Sequence, residues 1–161
     1  MDEQFMKEAL RLAKKAAALG EVPVGAVVVR DGKIIGRGYN RRETDQNGLA
    51  HAEITALRQA CRKKESWRLE DCTLYVTLEP CPMCAGAAIN TRIRRVVFGT
   101  ADPKGGAMGG LTDLNAHPWN HHPDVESGVL EQDCGEVLRS FFKDLRTRKK
   151  QEKHSSGQNS F

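Results

Sequence analysis

Hydrophobic and polar positions divide the chain into helix-length and strand-length pieces. From Asp2 to Leu19 the apolar residues Phe5, Leu10, Leu12, Ala13, Ala16, Ala17 and Leu19 recur at helical spacing, and Gly20 follows as a stop. Val22 to Val29 is a short apolar run and reads as a buried strand. Asp31-Gly32 is a hairpin turn signal, and Lys33 to Tyr39 returns as a second, antiparallel strand. A polar loop from Asn40 to Ala50 leads into helical periodicity from His51 to Lys64, through Ile54, Leu57 and Cys61. Thr73 to Thr77 reads as a strand, Ala85 to Thr91 continues a helix opened near Cys81, and Arg95 to Gly99 is a fourth strand. Strand, helix, strand over 73–99 makes a parallel βαβ unit. The stretch Ala101 to Asn120 is irregular and rich in Gly, Pro and Asn; loops of that length in a compact domain are usually functional or disordered. Val125 to Val129 reads as a short last or edge strand. From Gln132 to about Lys150 the pattern is helical, with Val137, Leu138, Phe141, Phe142 and Leu145 on the inner face. The sum is an α/β fold: a mixed sheet, its first two strands antiparallel and later ones parallel, with helices on both faces.

Two separated stretches carry the chemistry. His51-Ala52-Glu53 supplies an imidazole and a carboxylate, and Pro80-Cys81-Pro82-Met83-Cys84 supplies two thiols. Cys81 and Cys84, three apart at a helix start, share one face, and the positive helix end there favours thiolates. Pro82 suits the first helical turn because it lacks an N–H. One imidazole and two thiolates leave a tetrahedral zinc ion one ligand short, which is the catalytic rather than the closed structural pattern. Water in that position has its pKa lowered towards ~7. Positions two apart on a regular helix point about 200° away from each other. His51 and Glu53 can therefore meet at one metal only if the helix aims its N-terminal tip at it. Two helix N-termini should converge, with Glu53 beside the water as a proton carrier and not as a ligand. A closed structural site is the competing reading, and His117, His121 and His122 are available as a fourth ligand.

Composition narrows the class. At 161 residues, 39% apolar and 29% charged, the chain reads as one soluble domain, expected over 1–153 with a flexible tail at 154–161. No apolar run approaches the ~20 residues of a membrane span, and the acidic Met1-Asp2-Glu3-Gln4 start is no signal-peptide core. A cytoplasmic location is the expectation. Cys61, Cys72 and Cys134 lie in apolar or amphipathic stretches and read as small buried hydrophobes. Net charge is +4, concentrated towards the C-terminus, where Arg139, Lys143, Arg146, Arg148, Lys149, Lys150 and Lys153 outnumber Asp144 and Glu152. Such a run is a solvated face or an RNA contact; Phe142 beside it favours RNA, since an aromatic ring can stack on a splayed base. Core packing is the other reading of Phe141 and Phe142.

The H-x-E…P-C-x-x-C pattern is an established signature of zinc nucleobase deaminases. From Phe5 to Lys150 the chain resembles the bacterial tRNA-specific adenosine deaminases of the cytidine-deaminase-like superfamily. The resemblance rests on Gly20 to Ala26, Asn40, His51 to Glu53, Thr77 to Ala87, Arg95 to Gly99, Asp102 to Gly106, Asn120-His121 and Phe141-Phe142. The zinc motif implies only deamination; the Asp102-Pro103-Lys104 loop and the Phe-Phe helix point to the tRNA branch. The resemblance implies a three-layer α/β/α fold with a five-stranded mixed sheet and one zinc per subunit on His51, Cys81 and Cys84. It implies a homodimer that converts the wobble adenosine (A34) of an arginine tRNA to inosine, with Glu53 as catalytic acid/base. Asn40, Arg42, Arg68, Asp102, Lys104, Asn120, Phe142 and Arg146 are implied RNA contacts. Loop capping is the alternative for Asn40 and Asn120, and surface decoration for Arg42, Arg68, Asp102, Lys104 and Arg146. After Asn120-His121 this chain has His122-Pro123 where the family usually has Arg and a small or branched apolar residue. Two other functions stay open: a deaminase of a free base or nucleoside (guanine, cytosine or cytidine), and a non-catalytic RNA-binding or zinc-stabilised module. An intact Glu53 argues against the last.

Overall fold

The computed structural model describes residues 1–158, with side chains as far as Ser155. Helix α1 spans Asp2–Ala18, strands β1 and β2 span Gly25–Arg30 and Lys33–Tyr39, and α2 spans Ala52–Lys64. Then come β3 (Cys72–Leu78), α3 (Pro82–Asn90), β4 (Arg95–Thr100), β5 (Asp124–Ser127) and α4 (Glu131–Gln158). The sheet order is β2-β1-β3-β4-β5. β1 is antiparallel to both β2 and β3, while β3, β4 and β5 run parallel.

Alternating side chains of the central strands feed two cores, as the pleat requires. Ala26, Val28, Leu74, Val76, Val96 and Phe98 point to α2 and α3, where Ala52, Ala56, Ala60, Ala85 and Ala88 meet them. Val27, Val29, Tyr75 and Val97 point the other way, to Phe5, Met6, Ala9 and Leu10 of α1 and Cys134 of α4. Small residues let α2 approach closely. A Cβ on Gly38 of β2 would collide with the Ala52 carbonyl oxygen, so glycine there sets how near the start of α2 lies to the sheet. The hairpin turn places both Asp31 (φ 50°) and Gly32 (φ 73°) in the left-handed region, the two-residue geometry that Asp-Gly favours.

Several boundaries differ from the sequence reading, each for a local reason. The first strand begins at Gly25, because Pro23 has no N–H to give and Val24 N–H bonds Val22 O instead of a neighbouring strand. β5 ends at Ser127, where Gly128 and Leu130 adopt positive φ and turn the chain into α4. Leu19 is 49% exposed and lies off the α1 stripe. The last helix continues through His154 to Gln158, so it includes the first part of the expected tail; the tail's last residues, 159–161, lie outside the described residues. On α4, Cys134 and Gly135 are buried, Val137 packs against the core as expected, and Leu138 and Phe141 are half-buried, but Phe142 and Leu145, expected on the inner face, are 40% and 36% exposed. A straight helix touches the sheet only over its first turns, so the Phe pair stacks edge to face, centroids 5.4 Å apart, rather than filling the core. Cys72 and Cys134 are buried as expected, and Cys61 is half-buried. No helix among the described residues is long and apolar enough to cross a membrane.

Candidate active site

Two helices meet end-on at the edge of the sheet where β3 finishes. His51 is the N-cap of α2, extended at φ −82° and ψ 150°, and Cys81 is the N-cap of α3, extended at φ −70° and ψ 174°. Neither side chain therefore projects from the side of a helix. Each lies at a tip, which removes the 200° conflict between His51 and Glu53. Pro82 takes the first turn of α3. His51 Nδ1 lies 3.6 Å from Cys81 Sγ and 3.5 Å from Cys84 Sγ. All three donor atoms fall within 4.8 Å of one another, and no fourth His, Cys, Asp or Glu joins them among the described residues.

The donor set fits zinc. Tetrahedral Zn–S bonds of about 2.3 Å and Zn–N bonds of about 2.0–2.1 Å separate sulfur from nitrogen by about 3.5–3.6 Å. The structural-site alternative loses its ligand: His121 Nε2 is bonded to Ile93 O and His122 Nε2 to His117 O, both at 2.6 Å. A hydrogen bond from Cys84, with the His51 imidazole adjacent, pulls the Cys81 thiol down to about 4. Cys84 is pushed the other way by that same bond and by burial. Glu53, in the first turn of α2, is 4% exposed; burial pushes its carboxyl up to about 7, against the pull of its own helix-end amide.

His51, Glu53 and Cys81 line a cavity of about 220 Å³ together with Asn40, Arg42 and Asp102. That is below the roughly 300–1,000 Å³ of drug-sized pockets and suits a single planar base. A MafB19-like deaminase family model matches residues 1–146. A tRNA-specific adenosine deaminase of Bacillus subtilis (strain 168) is 55% identical over 150 residues, 92% of this chain and 93% of that protein. A solved structure from work on A-to-I editing by tRNA:A34 deaminases superposes with a TM-score of 0.79 at 45% identity, covering 84% of this chain and 99% of that one. This chain belongs to the tRNA-specific adenosine deaminase family. A guanine deaminase structure from Bacillus subtilis shares the fold less fully, with a TM-score of 0.59 and 42% identity over 62% of this chain and 64% of that one.

Within this deaminase the other expected contacts fall into three groups. Asn40, Arg42 and Asp102 line the cavity. Asn40 also caps its loop: Nδ2 donates to Val22 O at 3.1 Å and Oδ1 accepts from Arg42 N at 3.3 Å. Lys104 lies exposed one turn away, its N–H held by Asp102 Oδ1, while Phe142 and Arg146 are exposed on α4. Arg68 and Asn120 are not in the cavity. Arg68 precedes β3 at the sheet edge opposite the site, paired with Glu70 and stacked 4.6 Å from the Trp67 ring. Asn120 lies just before β5, whose first residue Asp124 is registered with Arg95 at the start of β4, again the far edge. Asn120 therefore does not line the cavity of its own chain. His122-Pro123 does not disturb β5: Asp124 N–H bonds Arg94 O directly after it.

The sequence reading missed two buried carboxylates. Glu79, 3% exposed between β3 and Cys81, accepts from the N–H groups of Asp102 (3.0 Å), Met108 (2.9 Å) and Gly110 (2.9 Å). It clamps the irregular 102–110 loop over the cavity, and a Cβ on Gly106 would strike its carboxylate. Glu21, 2% exposed, accepts from Glu43 and Thr44 N–H and pins the 40–50 loop. The signal in both cases is a carboxylate inside an apolar run next to the site.

Proposed function

We propose that this chain hydrolyses the wobble adenosine A34 of an arginine tRNA to inosine and ammonia. The observation that carries the reading is the open three-donor cluster at a base-sized cavity that the buried carboxylate of Glu53 also lines. His51, Cys81 and Cys84 would hold zinc, which supplies an activated water when bound. Glu53 then moves protons: from the attacking water to N1 of the adenine, and afterwards to the departing amino group at C6. Asn40 Nδ2 keeps a second hydrogen beyond its bond to Val22 O, available to a seated nucleotide. Arg42, Asp102 and Lys104 border the opening, and Phe142 and Arg146 are assigned to flanking RNA. Arg68 and Asn120, on the far edge, are left to RNA remote from the target base. The homodimer and the cytoplasmic location implied by the resemblance belong to this proposal, as does a single domain over 1–153.

The test is incubation of zinc-loaded protein with an arginine-tRNA anticodon stem-loop, reading adenosine-to-inosine conversion. Guanine, cytosine and cytidine are offered in parallel. Inosine at position 34 is expected, with little turnover of the small substrates. Conversion of a free base with none of the RNA would replace this reading with the nucleobase alternative. Sedimentation of the same sample reads the dimer.

A further inference from the structure

We propose that Glu21 is a positioning residue for RNA binding: through the backbone of residues 42–44 it holds the Arg42 guanidinium at the cavity. The inference rests on the tRNA reading for what Arg42 meets. Glu21 is rooted at the end of α1. Gly20 (φ 81°) takes the left-handed position there, and the Gly20 and Glu21 N–H groups close the helix on Ala17 O and Ala16 O. Glu21 is 2% exposed, and its two oxygens accept from Glu43 N–H at 3.1 Å and Thr44 N–H at 2.7 Å. The N–H just before these, on Arg42, is taken by Asn40 Oδ1 at 3.3 Å. Asn40 in turn is tied to Val22 O through Nδ2 and to Val24 O through its own N–H. The successive amides of 42–44 are thus fixed by Asn40 and the 21–24 segment, and Arg42 is the member of that run that lines the cavity.

Closing the loop does not need Glu21. Arg41 N–H to Ala50 O, Asp45 N–H to Arg41 O and Asn47 N–H to Arg42 O already join the 41–50 segment to itself. Glu43 and Thr44 are exposed, so no apolar packing is gained by drawing them in. Burying a carboxylate is unfavourable unless its oxygens are bonded, and here both bonds go to one short run of backbone. What they set is where that run lies against the body. The side chain they place is left available: Arg41 is paired with Asp45 and Arg37 with Glu8, while Arg42 has no salt bridge among the described residues. A guanidinium held without a protein carboxylate suits two phosphate oxygens beside a seated nucleotide.

The test is a double-mutant cycle on Glu21→Gln and Arg42→Gln in the full-length, zinc-loaded chain. Binding to an arginine-tRNA anticodon stem-loop is measured by fluorescence anisotropy at one fixed salt concentration, and inosine formation at saturating RNA is read alongside. Glu21→Gln alone should weaken binding about 10-fold, the scale of one charge-assisted hydrogen bond, with the saturated rate unchanged. With Arg42→Gln already present it should weaken binding by less than about 2-fold, because the side chain it acts through is gone. Equal losses in the two backgrounds, or a fall in saturated rate at unchanged affinity, overturn the positioning role and leave the proposed function standing. Coupling in a chain that binds the RNA but makes no inosine supports the role and overturns the function. Hydrogen exchange of the wild type needs no variant: the Glu43 and Thr44 amides should be protected. Exchange there at the rate of an unstructured chain overturns the role, whether or not Glu21→Gln folds.

Discussion

Glu53 and Glu79 are both buried carboxylates two residues from a member of the His51/Cys81/Cys84 cluster, and their surroundings suit them to opposite work. Glu79 has its oxygens engaged by three backbone amides, which makes it a fixed strut. Glu53 faces the cavity beside the donor cluster. Replacing Glu53 with Ala removes no zinc donor, so metal content by elemental analysis should be unchanged. Ammonia release should fall by ~10²–10⁴-fold, the usual contribution of a positioned acid/base. An active Glu53→Ala protein would end the proton-carrier role. The residue pattern alone singles out Glu53 as the candidate, because H-x-E beside P-C-x-x-C is the deaminase signature. Glu79 escaped notice because its partners are backbone amides 23 to 31 residues away, which no side-chain pattern records.

At the scale of elements, the strut ties the 102–110 loop to the end of β3. The loop's own backbone adds turn hydrogen bonds, among them Gly106 N–H to Asp102 O and Gly109 N–H to Thr112 O, and an isolated bridge between Met108 and Asp113 before a short 3-10 turn at Leu114–Ala116. Glu79→Gln turns one acceptor into a donor that faces amide hydrogens. It should cost about 1–3 kcal/mol. Hydrogen exchange should accelerate at the amides of Asp102, Met108 and Gly110 while those of β3 stay protected. Uniform acceleration across the sheet would mean that Glu79 is a general core residue and no loop clamp. The helices and central strands were legible from periodicity, since each has one apolar face or a short apolar run. The loop was not, because Gly, Pro and Asn report freedom of the backbone and not where it is pinned.

At the scale of the whole molecule, two distant links close the fold. Zinc ligation would join the tips of α2 and α3, so chelation should lower the melting temperature, and His51→Ala should make the protein indifferent to chelator. A wild-type melting curve unmoved by chelator would mean that the cluster holds no metal. On the opposite edge Asp2 ties α1 to the sheet: Arg95 Nη2 donates to it at 2.7 Å, as does the Tyr75 hydroxyl. Hydrogen bonding to Arg95 outweighs burial and holds the Asp2 carboxyl down at about 2, against 3.8 ordinarily. The unfolded chain thus takes up this proton first. The stabilisation is complete above about pH 4 and is lost as pH falls through about 2, worth roughly 1 kcal/mol after solvent screening. Asp2→Asn should lower stability at neutral pH and flatten the acid limb of an unfolding series between pH 4 and 2. An unchanged acid limb would show the link to be inert.

Amino-acid order by itself determined which atoms could bind the metal, because ligand chemistry depends on residue type and motif spacing. It also determined most of the helices and strands, because burial on one face imposes a period on the chain. Only the tertiary structure decided what shares the cavity. Strand direction carries Asn40, Arg42 and Asp102 to the reactive edge and leaves Arg68 and Asn120 on the other. That partition is set by which ends of parallel strands coincide, a relation between segments far apart along the chain that no local pattern contains.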